Sequence, residues 1–180
     1  MFWHKNTAEK MGLQLSRQLR DAILDVCSSL PSVEGVESER VSIESVILMF
    51  VGCRLALQAM STTDARKTRM REICTVFDSH CFEFLPDGPE FDGLLDKRGE
   101  QYFQLFKSHS EQIRSDGKWD TFMQDLAYRF EQFCKGGGND GDPLISIGGF
   151  FGMVPLMFLA PTCWSESFVK TVEYINNVCK

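Results

Sequence analysis

Apolar residues return at steps of three and four along most of this chain, and that spacing restricts the fold more than any other feature. Such spacing places apolar side chains on one face of an α-helix. It recurs in four separate stretches, at about 7–29, 70–84, 91–113 and 119–133. No stretch alternates convincingly as a half-buried strand would. The sequence therefore predicts an all-α, single-domain bundle of about six or seven helices over residues 1–180, with a subdivision at the Gly-rich loop 136–142 as the alternative.

A further helix, from about Arg40 to Met60, is predicted to lie in the middle of the bundle. Its residues Val46–Val51 are apolar without interruption, so this helix has no continuous polar face. A helix that is apolar all round is buried by neighbours on every side. The β-branched residues of this stretch would also suit a strand, but its length favours a helix.

Turn-forming and capping residues divide the predicted helices. Thr62 or Thr63 can cap the third helix, because a hydroxyl accepts a hydrogen bond from a free backbone N–H at the helix start. Pro89 suits the first turn of the fourth helix, where its missing N–H costs nothing. Asp116–Gly117 is a turn. Gly99, inside the longest helix, predicts a close helix crossing or a kink.

Residues 143–165 contain no charged side chain. This uncharged segment is long enough to span a bilayer. Glycines and the prolines Pro155 and Pro161 interrupt the stretch, and it lacks flanking basic anchors. We therefore expect a buried apolar helical segment, or two short helices broken near Pro155, with reversible membrane insertion as a less favoured alternative. A short closing helix entered through Pro161 should follow. The remaining alternatives are a surface groove for a partner helix or acyl chain, and a homo-oligomer formed through 143–163.

The seven cysteines are odd in number, include no CxxC pair and lie mostly within apolar runs. This usage predicts reduced thiols in a cytoplasmic protein, because a secreted disulfide scaffold is shorter and evenly paired. Cys74, Asp78 and Cys81 share one helical face, which could serve zinc, but a second pair of ligands is missing. We therefore expect buried cysteines, no metal site and no cofactor.

The net charge of −6 comes from one acidic stretch. Residues 72–100 hold eight acidic and two basic side chains, a balance of −6. Nucleic-acid binding needs a basic surface, so this function is not expected. An acidic face could bind a basic protein partner, and a solvated surface is the alternative. The candidate partner-binding residues are Glu83, Asp87, Glu90, Asp92 and Asp96.

Three polar residues, Arg98, Tyr102 and His109, lie on the apolar stripe of the longest helix. Polar side chains that point inward must find partners. With Trp119, they could therefore line a ligand pocket between the 91–113 helix and the 143–160 segment. Partner-satisfied core groups are the alternative reading. At the N-terminus, Phe2, Trp3 and His4 are candidates for a docking arm, with ordinary packing or disorder as the favoured alternative.

The chain carries no recognisable catalytic or nucleotide-binding motif. We therefore expect a non-enzymatic cytoplasmic helical protein that acts by protein–protein interaction, as an adaptor, inhibitor, immunity-type or assembly factor. The alternative is a bundle that binds a small molecule or lipid in the pocket just described. An enzyme of unfamiliar type would rest on Arg98, Tyr102 and His109 alone.

Overall fold

The computed structural model describes residues 2–136 and 154–178, and within them the side chains of residues 7–136 and 155–178. The described residues form helices and no strand, which confirms the predicted all-α bundle of about six helices. The sixth helical stretch is continuous but contains a π-helical turn, Ser165–Val169, between α6 and α7. The helices are α1 (Phe2–Ser28), α2 (Ser38–Ala59), α3 (Asp64–Cys81), α4 (Pro89–Asp116), α5 (Asp120–Cys134), α6 (Val154–Trp164) and α7 (Lys170–Val178).

Helix α2 lies at the centre, as its apolar pattern predicts. It packs against every other described helix and against the π turn. Ile47, Leu48, Met49 and Phe50, which are consecutive and so point in all directions around the helix, are fully buried. By length and composition α2 could cross a membrane, but 78% of its most apolar window is buried inside this fold. Its apolar character is accounted for by its place in the core.

The predicted helix boundaries follow local chemistry. The Thr63 hydroxyl accepts a hydrogen bond from the backbone N–H of Arg66 at 3.3 Å, so Thr63 rather than Thr62 caps α3. Pro89 lies in the first turn of α4. Gly117 ends α4 with φ = 65°, a left-handed conformation that glycine adopts without steric cost.

Two close helix crossings occur at glycines that the spacing analysis did not single out. A Cβ atom at Gly12 would lie 2.7 Å from the Val76 side chain, so α1 and α3 meet there. A Cβ at Gly52 would clash with the Ser167 hydroxyl, so α2 meets the π turn there. At Gly99 a Cβ would make only an ordinary 3.8 Å contact. The prediction of a close crossing at Gly99 is therefore wrong.

The C-terminal helical stretch is mostly buried over its described residues, with Leu156, Ala160, Cys163 and Trp164 at the core. The closing helix does not begin at Pro161, as predicted, because Pro161 lies inside α6. An interior proline removes a backbone hydrogen bond and crowds the carbonyl four residues earlier. Burial of the apolar side chains around it outweighs that local cost. The loop 136–142 beyond Gly136, and residues 143–153 of the uncharged segment, fall outside the described residues, so the subdivision and self-association predicted there stay predictions.

Candidate functional site

Arg98 is buried at the centre of the bundle, where it contacts three different groups. Its Nε donates a hydrogen bond to Glu44 Oε1 at 3.1 Å, and its Nη1 donates to Gln101 Oε1 at 3.0 Å. The guanidinium carbon lies 3.6 Å from the centre of the Phe133 ring, a close cation–π contact. Helices α2, α4 and α5 thus meet at one buried ion pair.

Two polar atoms beside this ion pair have no hydrogen-bond partner among the described residues, namely Glu44 Oε2 and the Tyr102 hydroxyl. Tyr102 packs edge-on against Phe133 at 5.4 Å between ring centres. Burial raises the pKa of Glu44, and the nearby Arg98 only partly opposes this. Burial, and then the Glu44 charge, raise the pKa of Tyr102 well above its ordinary value. Both groups therefore resist ionisation more than exposed ones do.

His109 and Trp119 lie in a separate aromatic cluster. His109 Nε2 is 3.0 Å from Asp125 Oδ2, which links α4 to α5. Its Nδ1 is 3.0 Å from the carbonyl oxygen of Leu105, one turn earlier in α4. The ring of Trp119 contacts Phe122 at 5.9 Å, and so does His109 at 5.8 Å. The cluster continues to Trp164 and Phe168 of the C-terminal stretch, whose rings stack at 4.6 Å.

The four predicted ligand-binding residues therefore form two pairs, Arg98 with Tyr102 and His109 with Trp119. The grooves between α2 and α4, between α1 and α7, and between α2 and α3 are lined by other residues. The predicted pocket against residues 143–160 falls mostly outside the described residues. A ligand site there stays a prediction.

The predicted partner-binding carboxylates lie in the segment where α3 ends and α4 begins. All five are exposed, and Phe82, which precedes Glu83 in this segment, is itself 53% exposed. The Phe82 ring rests against buried Phe50 at 5.9 Å, which anchors it to α2. We call this surface the acidic corner, formed by Phe82, Glu83, Asp87, Glu90, Asp92 and Asp96.

The structure explains why the negative charge of the acidic corner is so little compensated. Of the two basic residues between 72 and 100, Arg98 is buried against Glu44 and cannot neutralise surface carboxylates. Glu83 lies 3.0 Å from His80. Among the described residues no cation lies within ion-pair distance of the other four carboxylates of the corner. Lys97, the other basic residue, is exposed and makes no ion pair with them.

A groove of about 320 Å³ between α2 and α4 borders the acidic corner. Asp96 belongs to both, and Glu100 adds a further carboxylate to the groove. Leu55, Leu95 and Phe103 supply its apolar wall. An extended or helical segment with basic and apolar side chains would find both kinds of partner here.

The cysteine thiols are poor candidates for chemistry. The six described cysteines are free, and burial raises the pKa of Cys53 and of Cys163 to about 12. Burial also raises the pKa values of Cys81 and Cys134. Within the described residues no group of three or more ligating side chains could hold a metal ion. Cys74 Sγ instead donates a weak hydrogen bond to Asp78 Oδ2 at 3.7 Å.

The backbone of the predicted docking arm, Phe2, Trp3 and His4, forms the start of α1, while the side chains of these three residues fall outside the described set. Two residues near the candidate sites, Glu44 and Phe82, are not predicted from the spacing of apolar residues. Glu44 carried a recognisable signal, since it is one of only two charged residues between 41 and 59. Phe82 carried none, because its neighbour Phe84 occupies the predicted buried stripe.

Comparison with protein-family models, with curated proteins and with solved structures found no match.

Proposed function

We propose that this chain is a non-enzymatic cytoplasmic protein that acts by protein–protein interaction, and that its acidic corner binds a basic segment of a partner. The observation that carries the proposal is an exposed aromatic ring, Phe82, followed along the chain by five exposed carboxylates. All of them except Glu83 have no cation within ion-pair distance in the described structure. The six free cysteines support a reducing compartment.

An exposed aromatic residue together with charged residues is a common combination at protein–protein interfaces. An aromatic residue that is buried on binding supplies much of the affinity. Charged residues around it mainly accelerate association and exclude partners of the wrong sign. The Phe82 ring already packs against Phe50, so we expect less side-chain entropy to be lost when a partner covers it than for a ring without such a contact.

Two of the carboxylates, Glu90 and Asp92, also lie in the first turn of α4. Negative charge there stabilises a helix by about 0.3–1 kcal/mol through the helix dipole. That role does not extend to Glu83 and Asp87, which precede the helix, or to Asp96 in its second turn. Helix stability alone therefore does not account for the full set.

The test uses a short fluorescein-labelled peptide rich in Lys, Arg and Leu, with fluorescence anisotropy as the measurement. The triple variant Glu90→Gln/Asp92→Asn/Asp96→Asn should weaken binding by about tenfold or more, equivalent to about 1.4 kcal/mol. The matched control Glu9→Gln/Glu111→Gln/Asp116→Asn changes the net charge equally at exposed sites elsewhere and should bind as the wild type does.

Phe82→Ala should weaken binding as well, whereas Phe158→Ala, which removes a 70% exposed ring on α6, should not. Thermal unfolding of each variant confirms that it is folded. Equal weakening by both triple variants would show that the peptide responds only to net charge and would overturn the proposal.

A further inference from the structure

A second groove, of about 650 Å³, runs between α2 and α3. We call it the basic groove. It is separate from the acidic corner, although Arg54 borders both this groove and the one between α2 and α4. Its lining residues are Arg54, Leu57, Gln58, Ser61, Lys67, Met70, Arg71, Cys74, Thr75 and Asp78.

The lining of the basic groove is positively charged. Three cations, Arg54, Lys67 and Arg71, face a single carboxylate, Asp78. Arg54 Nε lies 3.6 Å from Asp78 Oδ1, so these two charges largely offset each other. Burial raises the pKa of Cys74, so its thiol adds no negative charge. The two cations left in excess are those of α3, Lys67 and Arg71.

Lys67 and Arg71 lie in the first two turns of α3, where positive charge is unfavourable for a helix. Residues 64–71, the first two turns of α3, hold four basic side chains and one acidic side chain. The N-terminal end of a helix carries a partial positive charge and is destabilised by nearby cations. The ion pair of Lys67 with Asp64 is solvent-exposed and contributes little. Helix stability therefore does not explain this cluster, two members of which, Lys67 and Arg71, line the groove.

The rest of the lining limits what kind of anion would fit. Leu57 and Met70 also line the groove but are almost fully buried, so they offer a ligand little apolar surface. The Gln58 amide can both donate and accept hydrogen bonds. We propose that the basic groove binds a phosphorylated small molecule, with its phosphate between Lys67 and Arg71 and the rest of the molecule beside Gln58.

Isothermal titration calorimetry with AMP and inorganic pyrophosphate tests this proposal, with adenosine as the ligand that lacks phosphate. At least one of the two phosphorylated probes should bind, and adenosine should bind at least about tenfold more weakly than AMP. The variant Lys67→Gln/Arg71→Gln should weaken binding of the phosphorylated probe by about tenfold or more. Arg54 is left intact because its loss would leave Asp78 without its partner.

The matched control is Lys107→Gln/Arg114→Gln, which removes two exposed cations from α4 and should bind the probe as the wild type does. Both double variants should unfold at or near the wild-type temperature, which separates a binding effect from a folding effect. Failure of both probes to bind at millimolar concentration would overturn the proposal, as would equal weakening by the two double variants. Binding only to vesicles that contain phosphatidic acid would also overturn it, in favour of a membrane surface.

This proposal does not depend on the one for the acidic corner. The corner variants leave Lys67 and Arg71 intact, and the groove variants leave the corner intact. Each experiment can therefore fail without affecting the other.

Discussion

At the scale of single residues, the Glu44–Arg98 pair is the feature with the largest expected energetic effect. Both side chains are almost fully buried, and their 3.1 Å contact joins α2 to α4. Removal of one partner from a buried ion pair leaves an uncompensated charge and costs about 3–5 kcal/mol. Replacement of both partners by apolar residues is often neutral.

We therefore expect Glu44→Leu to lower the free energy of unfolding by about 3–5 kcal/mol and Arg98→Met to do the same. The double variant should lose much less than the sum of the two. Urea denaturation followed by circular dichroism gives the three values. Additive losses would show that the two residues do not stabilise the fold as a pair.

The thiols provide a second prediction at this scale. In the variant Cys179→Ser, which removes the cysteine outside the described residues, only the half-buried Cys27 should react quickly with a disulfide reagent at pH 8. Cys74, whose pKa is raised by burial, should react more slowly. Cys53 and Cys163 have pKa values of about 12, so at pH 8 almost none of either thiol is in the reactive thiolate form. Native-state labelling followed by mass spectrometry measures the order, and rapid labelling of Cys53 or Cys163 would contradict it.

At the scale of helices, periodicity alone predicted which faces are buried, because burial of one face is what selects a three- and four-residue spacing. It placed Arg98 and Tyr102 inward correctly, but it could not supply the partner of Arg98. Glu44 lies 54 residues earlier, and only the packing of α2 against α4 brings the two together. At Pro161 the local preference of proline for helix starts gave a wrong prediction. Pro161 lies inside α6, where burial of the surrounding apolar side chains maintains a continuous helix.

Glycines allow a sharp comparison at the same scale. Gly52→Ala should destabilise the protein by about 1–3 kcal/mol, because the added methyl group would overlap the Ser167 side chain at the crossing of α2 and the π turn. Gly99→Ala meets no obstruction and should stabilise the protein by about 0.5–1 kcal/mol through helix propensity. Thermal unfolding of the two variants checks both signs. A Gly52→Ala protein as stable as wild type would show that this crossing is looser than described.

At the scale of the whole molecule, charge is segregated. The acidic corner lies at the start of α4, and the basic groove lies between α2 and α3. Arg54 of α2 lines both the basic groove and the groove between α2 and α4. The acidic excess itself was visible in the sequence. Its lack of compensation was not visible, because that depends on the burial of Arg98 against Glu44.

The central claim is that the acidic corner is the surface that binds a basic partner. The most direct measurement is the change in two-dimensional ¹H–¹⁵N NMR spectra when the Lys-, Arg- and Leu-rich peptide is added to the intact protein. The account predicts that the largest shifts occur at residues 82–100 and at the neighbouring face of α2 near Leu55. Shifts spread evenly over the acidic residues of the whole chain, or centred on any other surface, would contradict it.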